Sequence, residues 1–399
     1  MVNSPDFIVA VVGAGAMGSG IAQLASTAGH QVIVCDNDPK SIEKAKEQMA
    51  KLFSRLQEKG KYSEKEASDI QKRISWVDKL EDLAPAKLVI EAIVERLDIK
   101  KEVFSKLDSI VDESCILASN TSSLSIASIA SACKNNARVI GIHFFNPAPL
   151  MPLVEIIPGI TTDEKLADKI MKLMESWGKT PVITKDTPGF IVNRVARPFY
   201  GEALRIYEEQ WLGIPSGEAG IATIDWAMKE FGGFKMGPFE LMDYIGNDVN
   251  YAVTESVFTA FYYDPRYRPS ITQRRYSEAG WLGRKSGRGY YNYAADSIKA
   301  EPIKNEVIGR KIMNRIVAML INEAIDAVYL HIASPKDIEL AMTKGVNYPK
   351  GLLAWGKEIG YDVVLRELNY LQDEYVEDRY RPSPLLRKWA REGAKMDFN

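Results

Sequence analysis

The chain is predicted to be an α/β protein in which a doubly wound, mostly parallel sheet is followed by two tandem all-α domains. Three observations lead there. Short apolar runs alternate with amphipathic helical stretches through the first half, a glycine-rich turn follows the first run, and beyond residue 187 the pattern becomes helical in period and is written twice.

The bounds agree with a multidomain globular protein. At 399 residues the chain exceeds what one hydrophobic core usually supports. A formal charge of −2 provides no basic field for nucleic acid, and no apolar run approaches the roughly 20 residues that cross a bilayer. Cys35, Cys115 and Cys133 lack metal-ligand spacing, so reduced thiols and no metal are expected. No basic leader precedes Phe7, and a cytoplasmic address is the expectation.

Ile8 to Val12 reads as a strand buried on both faces, and it runs into Gly13-Ala-Gly15-Ala-Met17-Gly18 and then the helix formers Ile21, Ala22, Leu24 and Ala25. Gly13 permits the tight turn, Gly15 lets backbone approach a pyrophosphate, and Gly18 lets helix pack on strand, with Met17 in the same turn. The next strand, Val32 to Cys35, ends at Asp36, an acid placed to accept ribose hydroxyls. This is a Rossmann-type unit. Its Asp36 carboxylate would repel a 2′-phosphate and no Arg follows, so NAD is predicted over NADP. The plain alternative is a tight connection without a ligand.

A Lys-rich stretch from Ser41 to about Arg73 reads as a solvated helical hairpin, the alternative being an anion-binding arm. Further strands are predicted at 88–93, 116–118, 139–142, 153–157 and 181–184. Polar residues interrupt these apolar surroundings at Ser119-Asn120-Thr121-Ser122-Ser123, at His143-Phe-Phe-Asn146 and at Glu155. Strand ends converge on the ligand crevice of such sheets. The chain has three histidines; His30 reads as structural, whereas His143 can move a proton near neutral pH. A glutamate flanked by Val154, Ile156 and Ile157 is costly to bury alone, and an imidazole partner would relieve that cost.

The run from Gly141 through His143, Asn146, Pro147, Pro149 and Met151 to Glu155 resembles the signature of the L-3-hydroxyacyl-CoA dehydrogenases. Ser119-Asn-Thr-Ser122-Ser-Leu124, Asp186-Thr-Pro188-Gly189-Phe190-Ile-Val-Asn193-Arg194 and Met236-Gly237-Pro238-Phe239-Glu240-Leu-Met-Asp243 resemble that family too, in its order, from Phe7 to about Tyr293. The resemblance implies NAD-dependent, reversible interconversion of a 3-hydroxyacyl-CoA and a 3-oxoacyl-CoA, on a short-chain or dicarboxylic acyl group. It implies that His143 is the base, Glu155 its partner, and Ser122 and Asn193 hydrogen-bond the substrate oxygens. Glu95, Lys100, Asn146 and Lys285 are implied around cofactor or substrate.

The helical half repeats itself. Asn193-Arg194 with Glu202-Ala203 returns as Asn314-Arg315 with Glu323-Ala324, an offset of 121 (314 minus 193). Ala227-Met228, Gly237, Ile245-Gly246 and Asp248 return at an offset of 114 (341 minus 227), and Tyr267-Arg-Pro-Ser270 at 113 (380 minus 267). The expected domains are 1–186, 187–297 and 306–399, the last two forming an internal pseudo-dimer within a monomer or homodimer. Without a second His143, Asn314 is expected to be structural. Two other functions fit parts of the pattern: a CoA-independent hydroxyacid or sugar-acid dehydrogenase, and a catalytically silent NAD-binding protein.

Overall fold

A computed structural model describes residues 7–298 and 300–394. The chain divides into two compact units after Phe190. In the first, β1 (Val9–Val12), β2 (Val32–Cys35), β3 (Ile74–Val77), β4 (Leu88–Glu91), β5 (Ile116–Ser119), β6 (Val139–Phe144), β7 (Leu153–Pro158) and β8 (Thr180–Ile183) form one sheet in the order β3-β2-β1-β4-β5-β6-β7-β8. All pairings are parallel except β6 with β7. Helices α1 (Ala16–Thr27), α2 (Pro39–Glu58), α3 (Glu64–Lys72), α4 (Leu97–Ile110), α5 (Ile126–Ala130) and α6 (Glu164–Ser176) connect the strands. Two apolar clusters, one including Val11, Ile21 and Ile142 and the other Ala10, Phe104 and Ile129, bury the central strands. That is why these strands read as continuous Val/Ile runs with no alternation.

The Lys-rich stretch folds as α2 and α3, the second opened by a Ser63–Glu66 capping box. β3 was not legible beforehand: it is a four-residue edge strand with only Ile74 buried, too short to signal. β4 ends at Glu91, two residues before the apolar run does, because the Glu91 carboxylate accepts the Ile93 amide at 2.7 Å and turns the chain.

The first compact unit runs through Phe190. Asp186 accepts hydrogen bonds from Ser125 Oγ and the Ile126 and Ala127 amides, and Phe190 lies within the second apolar cluster. Both features tie this segment to the sheet.

The second unit is helical: α7 (Val192–Val195), α8 (Arg197–Glu208), α9 (Glu218–Glu230), α10 (Pro238–Ile245), α11 (Asn247–Ala260), α12 (Ile271–Glu278), α13 (Glu306–Tyr329), α14 (Pro335–Leu340), α15 (Leu352–Ile359), α16 (Tyr361–Tyr375) and α17 (Pro384–Glu392). Both repeats lie within this one compact unit. Their helix bounds recur at the offsets read from the sequence: α10 and α15 differ by 114 at both ends (238 to 352, 245 to 359), and α12 and α17 both start at the 113 offset (271 to 384). Residues 192–208 form two helices, split at Ala196 ahead of Pro198, which has no amide to donate. The equivalent stretch of α13 carries Met319 there and is unbroken. Asp225 accepts the Phe239 and Glu240 amides at the start of α10, and Glu339 accepts those of Leu353 and Ala354 at the start of α15.

Buried ion pairs join the repeats reciprocally. Arg194 Nε donates to Glu323 at 2.6 Å, and Arg315 Nε to Glu202 at 2.7 Å. The Tyr267 hydroxyl donates to Glu323 at 2.6 Å, and the Tyr380 hydroxyl to Glu202 at 2.7 Å. Residue for residue this is the exchange expected of a two-fold interface. Burial raises the Glu323 carboxyl pKa, but Arg194 and Arg266 outweigh that and bring it down to about 2. Because the folded value lies below the unfolded one of about 4.3, the pair stabilises above the latter, and that contribution is lost as pH falls towards the folded value. Glu323→Gln leaves Arg194 and Arg266, both buried, to share Asp326 alone and is expected to cost about 3 kcal/mol. Urea denaturation at pH 7 checks this, and the deficit relative to the parent protein should shrink as pH is lowered from 5 to 3.

Candidate active site

β1, β2, β4, β5 and β6 run parallel, so the loops leaving their carboxyl ends gather along one edge of the sheet. There the first unit brings together the turn Gly13–Gly18, Asp36, Glu95, Ser122, His143 and Asn146. A methyl group on Gly18 would lie 1.9 Å from the Gly13 carbonyl oxygen, so only glycine lets α1 pack on the turn. A methyl group on Gly15 would meet no protein atom within 4 Å. Gly15 therefore answers no packing need of the chain, as expected of backbone that a dinucleotide approaches. Met17 lies in the first turn of α1. Asp36 Oδ2 accepts the Ala14 amide at 2.7 Å, which holds the carboxylate against the glycine turn.

The dyad comes from the antiparallel pair. In the β6–β7 register His143 lies directly opposite Glu155, and their side chains meet at 2.7 Å between Nδ1 and Oε2. Glu155 is fully buried and His143 nearly so, with the ring centroid 4.5 Å from that of Phe145 and 5.8 Å from that of Phe190. A carboxylate held here makes Nδ1 the protonated nitrogen and leaves Nε2 to exchange a proton. Lys179, whose pKa burial pushes down to about 8, donates to the Ala148 and Met151 carbonyls and so ties down the following loop, in which a cis peptide joins Asn146 to Pro147.

Beside the dyad, Glu95 Oε1 accepts from the Thr121 hydroxyl at 2.6 Å, the Ser122 amide at 2.9 Å and the Ser123 amide at 3.2 Å. Burial would raise the Glu95 pKa, but Lys100 and these hydrogen bonds outweigh it and keep it below the ordinary range. Lys100 is itself buried, 2.6 Å from Glu91 and 3.3 Å from Glu95. Glu91 also accepts the Ser119 hydroxyl at 2.6 Å, and Asn120 Oδ1 accepts the Phe144 amide at 2.8 Å. Glu91, Thr121 and Asn120 thus fix the serine loop and the strand that carries His143. Glu91 was missed in the sequence although it carries the same signal as Glu155, a carboxylate inside an apolar strand.

His30, the expected structural histidine, bonds the Phe7 carbonyl through Nδ1 and lies against Phe7 and Trp177, and burial lowers its pKa. Asn193 and Lys285 belong to the second unit; Asn193 is half-buried on α7, and Lys285 is 2.6 Å from Asp248. Asn314 lies in α13.

A dinucleotide-type turn beside a buried histidine–glutamate pair defines a nicotinamide-dependent dehydrogenase. Residues 8–187 match the family described as 3-hydroxyacyl-CoA dehydrogenase, NAD binding domain, and residues 189–293 and 312–396 match its C-terminal domain. The chain belongs to the 3-hydroxyacyl-CoA dehydrogenases, and it is an NAD-dependent enzyme of that family. It is 38% identical to a 3-hydroxyadipyl-CoA dehydrogenase of Escherichia coli (strain K12), covering 96% of this chain and 97% of that one. It is 44% identical to a probable 3-hydroxybutyryl-CoA dehydrogenase of Bacillus subtilis, which spans 71% of this chain and is itself covered to 96%. A crystal structure of 3-hydroxybutyryl-CoA dehydrogenase from Escherichia coli K12 superposes with a TM-score of 0.90 at 37% identity, covering 96% of this chain and 98% of that one.

His143→Ala is expected to lower kcat by about 100-fold or more, the usual worth of a positioned acid–base group, while the Kd for NAD changes little. Glu155→Gln should lower kcat more than it affects cofactor binding. Steady-state kinetics with fluorescence titration of NADH checks both.

Proposed function

We propose that His143 and Glu155 carry out the proton chemistry of 3-hydroxyacyl-CoA oxidation, a reading that rests above all on the 2.7 Å contact between them at a fully buried carboxylate. NAD, when bound, supplies the hydride acceptor. His143 Nε2 takes the proton of the C3 hydroxyl during oxidation and returns it during reduction. Glu155 holds the ring in one tautomer and stabilises the imidazolium that forms. Ser122 and Asn193 are hydrogen-bond donors to the substrate oxygens, of most use in reduction, when charge develops at the C3 oxygen.

Gly13, Gly15, Met17 and Gly18 form the pyrophosphate turn, and Asp36 receives the adenosine ribose. Glu95 acts by presenting Ser122, with Lys100 beneath it holding the carboxylate charged. Asn146 and Lys285 complete the surroundings of cofactor and substrate. The repeats, 187–297 and 306–399, are two copies of one helical domain that face each other as the subunits of a dimer would, and the second copy has a supporting role. Among the described residues no helix is long and apolar enough to cross a membrane, and a cytoplasmic location follows from the same reading.

The decisive assay follows NADH absorbance with 3-hydroxybutyryl-CoA and longer 3-hydroxyacyl thioesters, alongside free 3-hydroxy acids. Turnover is expected with thioesters alone, and with NAD far more efficiently than with NADP. Oxidation of the free acids with equal efficiency would favour the CoA-independent alternative.

Deleting residues 306–399 exposes Arg194 and Glu202 without partners, and the shortened chain is expected to aggregate or to pair with a second copy. Size-exclusion chromatography checks this; a soluble, fully active monomer would refute the supporting role.

A further inference from the structure

Arg197 is buried, at 7% exposure, yet among the described residues it forms no ion pair with an acid. Its Nη1 donates to the Thr254 hydroxyl at 3.1 Å, its guanidinium lies over the Tyr200 ring, and its Nε has no hydrogen-bond partner. The buried arginines Arg194, Arg266 and Arg315 each meet a carboxylate. Burial lowers the Arg197 pKa, as expected of a cation that lacks its anion. The Tyr348 hydroxyl is also buried without a hydrogen-bond partner, close enough for Arg197 and Tyr348 to shift each other's proton affinity.

The repeat provides an internal control on whether the fold needs this arrangement. In the first copy Gln273 Nε2 bridges Asn250 Oδ1 at 2.6 Å and the Thr254 hydroxyl at 3.2 Å, and Thr254 in turn accepts from Arg197. At the offsets of 121, 114 and 113, the second copy replaces Arg197, Asn250, Thr254 and Gln273 by Ala318, Val364, Leu368 and Leu386, all buried. The same helices pack with an apolar core there. A polar cluster that the fold can do without, and that leaves a cation unpaired, indicates a ligand.

Position in the chain indicates which ligand. Arg197 opens α8 four residues after Asn193 on α7, and Ala196 between them keeps right-handed helical dihedrals, so one turn of chain, a rise of about 6 Å, separates the two. If Asn193 bonds an oxygen near C3, as proposed above, that rise is the reach of an acyl chain a few carbons further on. We propose that Arg197, held by Thr254 and joined by the Tyr348 hydroxyl, receives the terminal carboxylate of a dicarboxylic 3-hydroxyacyl-CoA and makes the enzyme selective for such substrates. This deepens the functional reading and rests on the assignment of Asn193. The second copy then contributes Tyr348 to the binding of substrate by the first.

The experiment compares 3-hydroxyadipyl-CoA with 3-hydroxyhexanoyl-CoA, which has the same number of acyl carbons but no terminal charge. In the parent enzyme kcat/KM is expected to favour the dicarboxylic thioester by at least about 30-fold, the scale of a buried charge-assisted pair. Arg197→Met should lower kcat/KM for that substrate by about as much, chiefly through KM, and leave the hexanoyl substrate within about three-fold. Tyr348→Phe, which removes one oxygen, should lower the dicarboxylic value alone, by about ten-fold. Calorimetry without cofactor should show adipyl-CoA binding more tightly than hexanoyl-CoA, with the preference abolished in Arg197→Met. Parallel loss on both substrates, or a parent enzyme that favours the hexanoyl thioester, would overturn the proposal. Failure of the parent enzyme to oxidise either thioester would instead strike the dehydrogenase reading.

Discussion

The antiparallel pairing of β6 with β7 is the constraint on which the active site depends. Residues 145–152 are the whole connection between the two strands, too short for the helical crossover a parallel pair requires, so β7 must return alongside β6. The resulting register places Glu155 across from His143. A slip of one residue would turn Glu155 to the other face of the sheet and leave a carboxylate with no partner. The cost of burying that charge alone makes the register and the dyad a single requirement.

A second set of buried carboxylates supports the first. Glu91, at the end of β4, accepts from Ser119 at the end of β5 and from Lys100 on α4, while Glu95 gathers the amides and hydroxyls of residues 121–123. Parallel neighbouring strands bring these ends to the same edge, so one lysine serves both acids. The serine loop is thereby held by charge-assisted hydrogen bonds, which are shorter and stronger than neutral ones.

The helical unit applies the same electrostatic logic twice and departs from it once. Arg194 with Glu323, and Arg315 with Glu202, satisfy each other across the repeat with equivalent geometry. Arg197 has no arginine at the equivalent position of the second copy and, among the described residues, no acid partner, and it marks where the copies have diverged in chemistry while keeping one architecture. Freed from any need for a polar cluster, the second copy fills the corresponding positions with Ala318, Val364, Leu368 and Leu386.

Much was legible in the sequence because periodicity and special residues act locally. The glycine turn, the strand from Val32 to Cys35, the histidine–glutamate pair and the repeat offsets each follow from steric or burial rules that operate within a few residues. Edge strand β3 was not legible, since a short strand with one buried side chain shows no alternation. The part played by Glu91, the extension of the first unit to Phe190 and the isolation of Arg197 were beyond reach for a different reason. Each depends on which groups lie nearby in space: Ser119 and Lys100 for Glu91, the start of α5 for Asp186, and the want of a carboxylate for Arg197. Chain order determined the elements and the chemistry they carry; only tertiary packing decided which buried charges found partners and which did not.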